Sequence, residues 1–219
     1  MDINIHIANS QHLSYAGEIC EVMRKAAKKR GTGIAKRKPE YIKKKMNEGK
    51  AVIAIDNDGQ HFAGFSYIES WENKQYIANS GLIVHPHYRK LGLGRKIKNR
   101  VFQLSRKKYP DAKIFGITTS MAVMKINSDL GYRPVTFSEL TDDKTFWKGC
   151  QSCPNYDILT DEKRKDCLCT GMLYDPQKNG KPSQKNNKQT RWHKFKRFMR
   201  LHQRNLQRKT RKLLTNNND

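Results

Sequence analysis

The densest chemistry in this chain sits in one short stretch, His85-Pro86-His87-Tyr88-Arg89-Lys90-Leu91-Gly92-Leu93-Gly94. It follows an apolar run ending Leu82-Ile83-Val84 and opens a run of helical spacing with Ile97, Val101, Phe102 and Leu104 on the apolar face. Glycines let backbone approach an anion closely, and the free amides at a helix N-terminus point toward it. Arg89, Lys90 and Arg95 add cationic donors on either side. The pattern therefore reads as a pyrophosphate cradle, although a tight strand-to-helix turn would use the same two glycines. It is not a dinucleotide fingerprint: the third glycine is missing, Lys98 stands near its place, and no βαβ unit precedes it.

A second set of residues suits a metal. Cys150-x-x-Cys153 and Cys167-x-Cys169, with thirteen residues between the pairs, offer four thiolates to one tetrahedral ion, zinc being favoured. Such a site would be closed and structural; free cytosolic thiols are the alternative. Cys20 lies on the apolar face of the first helical run and reads as core.

Other elements must position these groups. Ile3, Ile5 and Ile7 alternate with polar residues and predict an opening strand. Helical spacing runs from Ser10 to Arg30, and Pro39 opens a short helix through Glu48, ended by Gly49. Strands are expected at Ala51 to Ile55, His61 to Glu69 and Tyr76 to Val84, the first two joined by an Asn57-Asp58-Gly59 turn. A helix from Leu93 to Lys108, a strand from Ile114 to Thr118, a helix from Met121 to Leu130 and a strand from Tyr132 to Phe137 complete the pattern. This order implies an α/β fold with a mixed sheet flanked by helices: antiparallel hairpins first, then a βαβ crossover.

Composition sets the outer bounds. The chain has 219 residues, 44 Lys+Arg against 20 Asp+Glu, and a net charge of +24. Fourteen of those cations and one acid, Asp219, follow Pro176, so the tail holds +13 and leaves +11 for the rest. No apolar run approaches the roughly 20 residues of a membrane span, and Met1-Asp2-Ile3-Asn4 starts no hydrophobic signal core. A cytoplasmic protein, not an integral membrane one, is expected. Three segments follow: 1–140 with the cradle, a Cys-rich extension over 141–176, and a basic tail over 177–219. The tail begins as a polar linker and then places Trp192, Phe195, Met199, Leu206 and Leu213 along an amphipathic helix. It could dock on the body, lie on an anionic membrane, or meet RNA or a ribosome through phosphate contacts.

Tyr88 to Gly94, with its flanking strand and helix, resembles the acyl-CoA signature of the GNAT acyltransferase superfamily, and the element order of residues 3 to 140 is similar to that fold. The resemblance implies acetyl-CoA as cosubstrate, transfer to a primary amine, and often a homodimer. It places the pyrophosphate on Arg89, Lys90, Leu91, Gly92, Leu93, Gly94 and Arg95, and the pantetheine arm along Leu82, Ile83 and Val84. The tyrosine acid that GNAT enzymes often carry four residues before a helix-ending glycine is replaced here by Asn127, which cannot donate a proton of matched pKa but can hydrogen-bond the CoA arm. Ile117-Thr118-Thr119, Leu130 to Val135 and Glu139-Leu140 resemble the end of the acetyltransferase domain of bacterial N-acetylglutamate synthases, which also lack that tyrosine. That similarity implies a small amino-acid acceptor, glutamate first, without the kinase-like domain that usually precedes it. A base must take the amine proton: Glu69 leads, with Glu72, His85 and His87 as further candidates, and Lys36, Arg37 and Lys38 could favour an acidic acceptor. A protein- or ribosome-directed acetyltransferase and a non-catalytic CoA- or RNA-binding protein are the alternatives.

Overall fold

A computed structural model describes residues 2–31, 37–58, 60–153, 155–161 and 167–179; the expected tail helix lies outside them. Seven strands form one sheet in the order β1-β2-β3-β4-β5-β7-β6. The strands are β1 (Ile3–Ile7), β2 (Ala51–Asp56), β3 (His61–Trp71), β4 (Tyr76–Val84), β5 (Lys113–Thr118), β6 (Arg133–Val135) and β7 (Thr170–Tyr174). Every pairing is antiparallel except β4 with β5, joined through α3 (Leu93–Lys108) as the crossover reading expects.

Helices cover both faces. Along α3, Leu93, Ile97, Val101 and Leu104 recur on one stripe and pack on β2, β3 and β4, while Arg106, Lys107 and Lys108 oppose the negative end of the helix dipole. Burying such a side chain stabilises the fold by roughly 1.5–3 kcal/mol. On the other face α1 (Ala16–Arg30) and α2 (Pro39–Asn47) pack Ile19, Met23, Ile42 and Met46 against Ile53, Phe65 and Tyr67. Cys20 is half-buried against this cluster rather than fully enclosed.

Three expectations are corrected. The single helix from Ser10 splits into a 3-10 segment, Ser10–Tyr15, and then α1, because Asn9 caps the segment with its side chain and forms a reciprocal box with His12. The strand expected from Tyr132 to Phe137 shortens to β6, and Phe137–Glu139 turns into a 3-10 segment. The largest correction is β7, which the sequence reading did not contain. It lies between β5 and β6 and pairs with β5 from Ile114↔Tyr174 to Thr118↔Thr170. Its Met172 and Leu173 are fully or almost fully buried.

The sheet opens where β4 and β5 part. Their pairing covers only Tyr76↔Lys113, Ile77↔Ile114 and Ala78↔Phe115, so Asn79 and Gly116 start a fork. On the far side β7 holds β5 along its length, which keeps the opened end of β5 from being a bare edge. On the near side β4 bulges opposite Ser66, where Tyr67 pairs with Ser80 and Phe65 with Ile83. Gly81 makes that bulge, with φ of +63°. A Cβ there would stand 2.3 Å from Tyr67 Cε1 and 2.9 Å from Met23 Cε. Gly81→Ala is therefore expected to cost about 2–4 kcal/mol from left-handed backbone and overpacking together. Thermal denaturation checks it: the midpoint should fall on the order of 10 °C, and an unchanged midpoint would refute the bulge argument.

Candidate active site

A cavity of about 810 Å³ runs through the fork. Strand period places Tyr67, Glu69 and Trp71 of β3 on its wall, since alternate residues share a face. β4 adds Ser80, Gly81 and Leu82, and β5 adds Gly116 to Thr118. From α2, Tyr41 and Lys44 face it one turn apart, with Arg37 and Lys38 just ahead of the helix. α4 (Met121–Asp129) contributes Val123 and Asn127, one turn apart on one face.

Glu69 is the hub of one end. It is 6% exposed; its Oε1 accepts from the Tyr41 hydroxyl and from Arg37 Nη2 at 3.2 Å, and its Oε2 accepts from Ser80 Oγ at 2.7 Å. Arg37 Nε also donates to the Tyr67 hydroxyl at 2.8 Å, and its guanidinium lies 5.0 Å from the centroid of the Tyr41 ring. Burial and the Glu69 charge push both phenols up, so Tyr41 and Tyr67 stay neutral at any working pH. A carboxylate and a serine hydroxyl are thus joined at the mouth of the fork.

Beyond the fork is a buried polar network. Asn79, the first β4 residue past the last pair with β5, donates to Ser105 Oγ at 2.7 Å. Its Oδ1 accepts from Tyr132 Oη at 3.0 Å and from Lys98 Nζ at 3.3 Å. Lys98 is 2% exposed, and burial pushes its amine down to about 7. Unfolded lysine titrates near 10.4. The folded value is the lower one, so between about pH 7 and 10 the unfolded chain binds more protons here and this group makes stability rise with pH. Lys98→Met is expected to exceed wild type in stability at neutral pH, with the gap closing as pH rises. Parallel melting curves from neutral to alkaline pH would refute this.

Two buried polar atoms on the cavity wall have no partner among the described residues, Trp71 Nε1 and Asn127 Oδ1. A buried donor or acceptor left unpaired costs about 1–3 kcal/mol, so both are places where a bound molecule gains by supplying the missing partner.

The sequence-predicted residues divide. Glu69, Leu82 and Asn127 reach the cavity. Ile83 is 4% exposed and packs into the core, so only its backbone can meet a ligand. Arg89 to Arg95 lie outside the cavity, at the start of α3. There Lys90 and Gly92 both take left-handed φ, of 68° and 73°, where the chain turns into α3. Arg89 Nε donates to Val84 O at 3.2 Å, and Arg95 pairs with Asp129 at 2.6 Å. Of the other base candidates, Glu72 binds Thr141 and the Asp142 amide, and His85 caps the turn at His87; neither they nor His87 line the cavity. Lys36 lies outside the described residues, and Arg37 is committed to Glu69 and Tyr67.

The four cysteines do come together on the cavity wall, beside Phe146, Tyr156 and Leu159. A hydrogen bond with Cys167, burial and the neighbouring Cys153 and Cys150 push the Cys169 thiol up, and burial with Cys167 and Cys153 raises Cys150 to about 11. Among the described residues, however, no three or more His, Cys, Asp or Glu side chains form a group able to hold a metal ion. The zinc expected at Cys150, Cys153, Cys167 and Cys169 is not matched by such a group. Nor is any helix among the described residues long and apolar enough to cross a membrane.

Sequence reasoning missed Tyr41, Tyr67, Trp71 and Lys98. Tyr67 and Trp71 could have been found from Glu69 by strand period. Lys98 left a fainter signal, a cation on the interior side of an otherwise apolar helix stripe.

Comparisons with known proteins fit this geometry. Solved structures share the fold. N-acetylglutamate synthase from Neisseria gonorrhoeae, complexed with coenzyme A and N-acetyl-glutamate, is 13% identical with a TM-score of 0.56 over 80% of this chain and 35% of that one. A GNAT family acetyltransferase from Staphylococcus aureus Mu50 is 19% identical with a TM-score of 0.57, covering 80% of this chain and 99% of that one. Phosphinothricin acetyltransferase from Sinorhizobium meliloti, in complex with acetyl-CoA, is 12% identical with a TM-score of 0.54, covering 80% and 89%. The chain thus aligns with about a third of the length of the Neisseria enzyme. No curated protein matches it by sequence. Residues 20–122, from α1 through the fork and the α3 turn to the start of α4, match the family model described as Acetyltransferase (GNAT) family, and the chain carries a domain of that family.

Proposed function

We propose that this protein transfers an acetyl group from acetyl-CoA to the primary amine of a small amino acid. The observation that supports this best is the fork itself: β4 and β5 separate at Asn79 and Gly116, directly beside the linked Ser80 and Glu69. In this reading the amides of Gly92 to Gly94, with Arg89, Lys90 and Arg95, hold the pyrophosphate. The pantetheine arm lies along the backbone of Leu82 to Val84, and Asn127 Oδ1 accepts one of its amide protons. The thioester then sits at the fork. An amine held against its carbonyl attacks, and its proton passes to Ser80 Oγ as Ser80 donates to Glu69, so Glu69 ends the step protonated.

Glutamate is the first acceptor to try. Trp71 Nε1 is an unpaired donor at the acceptor end, and the Neisseria enzyme similar to this chain was solved with N-acetyl-glutamate. A second acceptor class, amino acids with an apolar or aromatic side group, is favoured by the lobe that Phe115, Phe137, Phe146 and Leu159 line. The experiment is CoA release from acetyl-CoA by the purified chain across single amino acids, with products identified by mass. An acetylated amino acid is the expected result. Bound acetyl-CoA without turnover on any of them would move the acceptor to a macromolecule such as a protein or ribosome.

A further inference from the structure

We propose that Lys98 is the proton donor to the departing CoA sulfur, and so a catalytic residue of the transfer; this rests on the acyl-CoA reading of the fork. The position usually occupied by a tyrosine acid is Asn127, whose amide cannot supply a proton. Something else at the fork must, or the thiolate leaves unprotonated.

Lys98 stands in the right place. Its side chain rises from the sheet-facing side of α3 and lines the cavity although it is 2% exposed, so the part it shows is aimed into the fork. Its amine is fixed by Asn79 Oδ1, the side chain at the vertex where β4 leaves β5, and lies 5.0 Å from the centroid of the Tyr132 ring. The titratable groups around it are phenols: Tyr132 beside it, and Tyr174 of β7, 6.1 Å from Tyr132 between ring centroids. No carboxylate pairs with it among the described residues, and burial alone accounts for its lowered pKa. A fixed lysine that no anion neutralises, facing a cavity, is costly to keep. An anion that forms at the fork during the reaction gives that cost a use.

The step balances. When the tetrahedral intermediate collapses, the C–S bond breaks and its electron pair goes to sulfur. The Lys98 ammonium gives one proton to that sulfur and becomes a neutral amine, leaving CoA as the free thiol. Water entering after product release returns the proton. An amine titrating near 7 lies below an alkyl thiol such as that of cysteine, about 8.5, so proton transfer from its ammonium to the thiolate runs downhill.

The test needs no acceptor. CoA is bound to the full chain and its thiol titrated by thiolate ultraviolet absorbance, in wild type and in Lys98→Met. With a lysine beside the sulfur the bound thiol should titrate at least about 1 unit below its ordinary value, and in Lys98→Met it should return to that value or above it. Identical titrations in the two proteins overturn the proposal. Failure of both to bind CoA overturns the acyl-CoA reading instead. If Lys98→Met does not fold, nitrogen NMR of labelled lysine in wild type replaces it. The Lys98 amine should titrate higher with CoA than with desulfo-CoA, and equal values overturn the assignment.

Discussion

Glu69→Gln is expected to lower turnover by about 10²–10³-fold while leaving acetyl-CoA affinity within a few-fold. Removing a positioned proton acceptor typically costs in this range, and glutamine keeps an oxygen for Tyr41 or Ser80 but cannot take the proton. The same carboxylate has a structural duty, since it pairs with Arg37 at 3.2 Å and both side chains are mostly buried. Breaking such a pair strands the guanidinium, although Tyr67 still accepts from Arg37 Nε. The two duties separate in the assay. A base loses kcat with the melting midpoint only modestly lowered, whereas a purely structural Glu69 would lose midpoint and acetyl-CoA binding together. Turnover by Glu69→Gln equal to wild type would remove Glu69 from the proton path.

Gly94→Asp should weaken acetyl-CoA binding by about 100-fold, roughly 2.7 kcal/mol, without loss of fold. The opposite signs come from one feature. A carboxylate in the first turn of α3 satisfies its free amides and favours the helix dipole by about 0.3–1 kcal/mol. It also occupies those amides and repels an incoming pyrophosphate. The added Cβ meets only Val84 Cγ2, at 3.6 Å, an ordinary contact. Calorimetric titration with acetyl-CoA alongside thermal denaturation checks both halves. Unchanged affinity would mean that the pyrophosphate does not sit on these amides.

Much of the frame was legible because it is local. The α3 stripe of Leu93, Ile97, Val101 and Leu104 predicts the helix with its bounds as found, and the apolar run from Tyr76 to Val84 predicts β4. Gly92 could be read as a turn residue because a left-handed φ suits glycine whatever its surroundings. The element order then pointed to a mixed sheet with one parallel crossover, and that is how β4, α3 and β5 are joined.

The site was legible only in part. Glu69 could be named from its strand position, but its bonds to Arg37 and Tyr41 join residues about thirty positions apart, which no spacing rule reaches. β7 escaped because Thr170 to Tyr174 is buried almost throughout, so it carries no alternation of apolar and polar residues to mark it beside the cysteines. A strand buried in the sheet is specified by its neighbours as much as by its own pattern. Where the sheet forks was likewise set by long-range pairing, with β5 held away from β4 by a strand more than fifty residues later.

The sequence by itself determined the turn at Gly92, the helix behind it and the strands on either side. All follow from residue type and near-neighbour spacing. Only the tertiary structure decided that Glu69 is tied to Ser80 and Arg37, that Ile83 is closed to ligand by its side chain, and that a lysine with no anion beside it faces the fork. Those are consequences of which distant surfaces exclude water together. Burial, and the electrostatics it strengthens, is a property of the packed chain rather than of any segment within it.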